Sequence, residues 1–81
     1  MSNMTVSFNY SGNIIAIQCN SNDTLNQIFQ RYCTKAAISR TDPTFYYNSQ
    51  KIEGDDRTLN EHGIVNRGVF DVVISKYVVG A

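Results

Sequence analysis

The chain has 81 residues, 42% of them hydrophobic, and its seven Lys or Arg balance seven Asp or Glu to a formal net charge of zero at pH 7. A chain of that length makes one compact domain that buries about 60–65% of its unfolded surface, which excludes a second domain and leaves little volume for a large-pocket active site. Balanced charge removes the basic footprint of a nucleic-acid binder or a membrane-surface module, so no nucleic acid and no membrane is expected, and a protein partner is the default.

At the start, Met1-Ser2-Asn3-Met4 has neither the basic region nor the apolar run of a signal peptide, and no apolar stretch of about 20 residues occurs anywhere. The expected location is cytoplasmic or nuclear. Val6, Phe8 and Tyr10 alternate with Ser7 and Asn9, the period of a half-buried strand. Ser11-Gly12-Asn13 turns the chain, and Ile15, Ile17 and Cys19 resume the alternation, which predicts an N-terminal β-hairpin. Cys19 and Cys33 match neither a metal-ligand spacing nor a dense disulfide framework and are expected as free core thiols. The sequons at Asn3, Asn9 and Asn22 read as products of an Asn-rich composition.

Thr24 stands three residues before Gln27, a reciprocal capping box that starts a helix. Its apolar positions Leu25, Ile28, Phe29, Tyr32, Cys33 and Ala36 form one stripe wide enough to cover a sheet. Ile38 to Thr44 contains the only proline, Pro43, and reads as a connection. Phe45-Tyr46-Tyr47 predicts a strand, Asn48-Ser49-Gln50 a turn, Ile52 a very short strand and Glu53-Gly54-Asp55-Asp56 another turn. In the last strand Phe70, Val72 and Ile74 share one face, and Asp71, Val73 and Ser75 the other. The order is β-β-α-β-β-β. One helix and about five strands pack most economically as an α+β domain, the helical stripe lying across one face of a mixed sheet, which is the β-grasp arrangement.

Several segments resemble ubiquitin and ubiquitin-like domains: the Asp23-Thr24 helix entry, Phe45 to Ile52 as strand, turn and strand, and Asp56-Arg57-Thr58-Leu59 followed by Gly63-Ile64. The resemblance spans residues 4–79, with the first hairpin turn one residue shorter and the Gly54-Asp55-Asp56 turn one longer than in ubiquitin. It implies that Leu59 and Ile64 fix a loop under the sheet. Phe29 stands where ubiquitin buries a lysine, and Gly54 near that lysine's acidic partner, which implies an ion pair replaced by apolar packing.

No catalytic constellation is present, and the chain is not expected to be an enzyme. His62, the only histidine, is read as packed or hydrogen-bonded, and Glu53, Asp55 and Asp56 lack the alternating spacing of a calcium loop. No phosphate-binding glycine motif occurs, so neither cofactor nor metal is expected. The resemblance implies instead a protein-binding patch on the sheet face opposite the helix, with Tyr46 and Val73 at its centre, Tyr10 nearest the hairpin, and Ser49, Gln50 and Asp71 as its polar rim. Ser49, Gln50 and Asp71 each replace a residue that ubiquitin uses, so receptors tuned to ubiquitin itself are expected to bind weakly.

The C-terminal Val78-Val79-Gly80-Ala81 has no diglycine. The resemblance then implies a monomeric, non-conjugated domain that docks a host to ubiquitin-pathway receptors such as the proteasome, an unfoldase or a ligase. The alternative is a modifier joined to target lysines through Gly80 once Ala81 is removed.

Overall fold

The computed structural model describes residues 3–74. The expected hairpin is formed by β1 (Asn3–Tyr10) and β2 (Asn13–Asn20), antiparallel with Tyr10 opposite Asn13 and Met4 opposite Cys19. Ser11 and Gly12 both have positive φ, 50° and 90°, the two-residue turn whose twist suits a hairpin. Asn9 Oδ1 accepts the Gly12 N–H at 2.9 Å and closes it.

Thr24 caps helix α1 (Leu25–Ala36) as predicted: its Oγ1 accepts the Gln27 N–H at 3.1 Å and Gln27 Oε1 accepts the Thr24 N–H at 2.9 Å. Ala37 ends the helix in the left-handed region at φ 59°, and the Ile38 N–H reaches back to the Cys33 carbonyl at 3.0 Å. A Cβ is strained in that conformation. Ala37→Gly is therefore expected to stabilise the domain by about 0.5–1 kcal/mol, seen as a raised urea midpoint at unchanged slope.

Three further strands complete the sheet: β3 (Pro43–Tyr47), β4 (Gln50–Ile52) and β5 (Val69–Ile74), giving the order β2-β1-β5-β3-β4. The β1–β5 pair is parallel and the others antiparallel, so the α+β, β-grasp expectation holds over the described residues. Two boundaries differ from the sequence reading. Pro43, expected in a connection, heads β3 opposite Ile74, because the first residue of a strand can do without a donor. The turn expected at Asn48-Ser49-Gln50 contains only Asn48 and Ser49, at φ 53° and 67°, and Gln50 already pairs with Tyr47.

The helix lies over the face formed by Met4, Val6, Phe8, Ile17, Cys19, Phe45, Phe70 and Val72, all buried. Phe8 is at the centre: its ring stacks on Tyr32 at 4.5 Å and Phe70 at 4.9 Å, and meets Phe29 and Phe45 edge-on at 6.0 and 5.7 Å. All four phenylalanines of the chain are thus in one aromatic cluster. Phe29 stacks on Phe45 at 3.9 Å, and the Arg40 guanidinium lies 5.3 Å from the Phe29 ring. Gly54 faces this group so closely that a Cβ there would collide with Arg40 Nη2. Ring packing plus a cation over the rings therefore occupies the place at which the resemblance put an ion pair in ubiquitin.

Leu59 and Ile64 are buried under the sheet as the resemblance implied. The Leu59 N–H donates to the Asp23 carbonyl at 2.9 Å and the Leu25 N–H to the Arg57 carbonyl at 3.1 Å, which ties this loop to the helix entry. Thr58 and Glu61 repeat the capping exchange seen at Thr24, at 2.8 and 3.1 Å. Ser75 to Ala81, including Gly80 and the end of the 4–79 span, lie outside the described residues.

Candidate docking surfaces

On the sheet face away from the helix, register sets a row of residues across the strands: Ile14 opposite Asn9, Asn9 beside Asp71, Asp71 opposite Tyr46, and Tyr46 opposite Lys51. Above and below it, Val73 pairs with Thr44 and Val69 with Ser7. Val73 is 46% exposed, Val69 49% and Ile14 65%, while the buried Phe70 and Val72 point the other way. Tyr46, Asp71 and Val73 are thus brought together as expected. Ser49 is exposed in the turn beyond Tyr46.

Two expected patch members are elsewhere. Tyr10 has the parity of Val6 and Phe8 and packs against the core on the helix side. It borders a groove of about 440 Å³ with Ile15, Tyr32, Ala36, Ile38 and Ile74. Gln50, opposite Tyr47, has the parity of the side on which the Tyr47 ring meets Phe70 at 5.1 Å, and it borders a cleft shared with His62. Val69 and Ile14 share this exposed face and were not among the expected patch residues. Their alternation with Phe70 and Ile15 was the available signal.

The His62 expectation acquires a partner: its Nε2 is 3.1 Å from both carboxylate oxygens of Asp55. Partial desolvation acts to raise the Asp55 carboxyl, but the hydrogen bonds from His62 and the Arg57 backbone N–H, with the Arg57 charge nearby, outweigh it and hold the group below its ordinary range. Asp23 is likewise lowered, chiefly by the Arg31 guanidinium at 2.8 Å. Cys19 and Cys33 are free and buried, and burial pushes both thiols up. Glu53, from the acidic turn, pairs with Lys51 at 3.4 Å. Among the described residues, no group of three or more His, Cys, Asp or Glu side chains is arranged to hold a metal ion. No helix among them is long and apolar enough to cross a membrane.

The family described as ubiquitin-2 like Rad60 SUMO-like matches residues 9–74. No curated protein sequence matches the chain. Among solved structures, a ubiquitin-like domain of an Arabidopsis thaliana protein is similar at a TM-score of 0.84 and 16% identity, over 95% of this chain and 82% of that one. The ubiquitin of Caldiarchaeum subterraneum is similar at 0.82 and 16%, over 98% of this chain and 100% of that one. A designed protein based on ubiquitin is similar at 0.79 and 12%, over 99% and 98% of the two chains. Identities this low speak to the fold.

Proposed function

The chain belongs to the ubiquitin-2 like Rad60 SUMO-like family, and on that premise we propose that it is a protein-docking domain, not itself conjugated, that brings a host protein to ubiquitin-pathway machinery. The observation that carries this reading is the outer-face cluster of Tyr46, Val73 and Val69, with the two valines about half exposed and Asp71 between them. An apolar and aromatic centre with a polar rim is how small protein interfaces are built. The partner is a receptor domain of the proteasome, an unfoldase or a ligase.

Titrating isotope-labelled domain with such receptor domains tests this. The expected shifts centre on Tyr46, Val69 and Val73, and Tyr46→Ala with Val73→Ala is expected to weaken binding by tenfold or more, about 1.4 kcal/mol, while the spectrum stays dispersed. Unchanged binding in the double variant removes the patch as the docking site.

Val79-Gly80 followed by Ala81 favours the second reading, a modifier carried to target lysines on Gly80. An immunoblot of the endogenous protein with and without ATP depletion separates the two. A single larger band that ignores ATP supports the docking domain, and a free species near 9 kDa beside an ATP-dependent ladder supports the modifier.

A further inference from the structure

We infer that Asp71 sets the chemistry of the partner on the sheet face: a protein surface that carries an arginine or lysine among apolar side chains. This deepens the docking reading above and rests on it. The family resemblance implies Asp71 as part of a polar rim, but the strand order sets it at the centre of the patch. β5 is the middle strand of the five, and Asp71 is exposed on it between Val69 and Val73 on the same face. Asn9 of β1 lies beside it and Tyr46 of β3 opposite.

No cation of the domain serves this carboxylate. The ion pairs among the described residues are Arg31–Asp23, Lys51–Glu53 and His62–Asp55. Lys51 is the one other charged strand residue on the outer face, two strands away on β4 and bonded to Glu53 at 3.4 Å. In the free domain water solvates Asp71. A partner that buries Val69 and Val73 also covers the carboxylate between them and strips that water away, which is strongly unfavourable unless the partner supplies a countercharge.

An apolar surface of matching shape is therefore rejected, and an acidic one more so, while a surface with a central cation is accepted. Arginine suits the position best, because its planar guanidinium gives two parallel donors to the two carboxylate oxygens. A second copy of the chain fits poorly. The cation it offers on the strands of this face is Lys51, which Glu53 already holds.

Phage-displayed segments tiling the proteome of the source organism, selected on the wild-type domain and then synthesised and titrated singly, test the inference. The recovered segments are expected to share an arginine or lysine flanked by apolar residues. Asp71→Asn keeps the shape of an exposed side chain, so its spectrum is expected to stay dispersed while the Kd of those segments rises tenfold or more. Replacing the segment's own cation by glutamine is expected to cost a similar factor, and making both changes little beyond either, since both break one contact. Segments that are lost with Tyr46→Ala and Val73→Ala but are indifferent to Asp71→Asn overturn the inference and leave the docking reading standing. Recovery of no segment that depends on Tyr46 and Val73 removes the docking reading and the inference with it. Self-association of the domain that Val73→Ala abolishes puts a second copy on the face and also overturns the inference.

Discussion

Phe8→Ala is expected to lower the unfolding free energy by about 3–5 kcal/mol, measured by urea denaturation. The ring touches four other aromatic rings at 4.5–6.0 Å and is fully buried, so deleting it removes a large apolar area and leaves a void that neither the helix nor three strands can collapse into. A domain of this size has a total stability of only about 4–12 kcal/mol, so the variant is expected to be partly unfolded at 37 °C. A loss below about 1 kcal/mol would show that the cluster is not packed as described.

Phe29→Lys is the second large effect, a loss of about 3–5 kcal/mol, because the ammonium enters a fully buried position whose surroundings already contain the Arg40 cation. Gly54, which faces Arg40, carries no side chain to pair with a cation there. The pH dependence separates this cause from lost packing. Burial lowers a lysine's pKa in the folded state, so the folded protein binds fewer protons than the unfolded one, and the deficit shrinks as pH rises from the lowered pKa toward the unfolded value near 10.4. Phe29→Ala loses packing alone, and its deficit relative to wild type is expected to stay flat over the same range.

Period and capping made most of the fold legible. Leu25, Ile28, Phe29, Tyr32 and Cys33 are buried as the helical stripe predicts, and Phe70 and Val72 as the strand alternation predicts. Pro43 misled because a missing donor argues against a strand interior but not against its first residue, and Gln50 because a polar residue after Asn48-Ser49 reads as turn when two positive-φ residues already suffice. At the candidate site, Tyr46, Asp71 and Val73 followed from parity and the family resemblance together. The resemblance set Tyr10 nearest the hairpin position of the patch, but its parity with Phe8 turns it to the core side. The bonds from Arg31 and Lys35 to the Gln18 and Ala16 carbonyls of β2 were not legible, since they cross 13 and 19 positions and exist only once the helix has docked.

The strand order also sets a timetable for folding. β5, the last of the described strands, lies in the middle of the sheet, parallel to β1 and antiparallel to β3. During synthesis the hairpin and helix segments emerge first, but the slot beside β1 stays empty until Val69–Ile74 is released, so the sheet cannot close over Phe8 before then. Closure of the sheet therefore comes late, through the strand pairing most distant in sequence, and until then the apolar surface around Phe8 is what chaperones encounter.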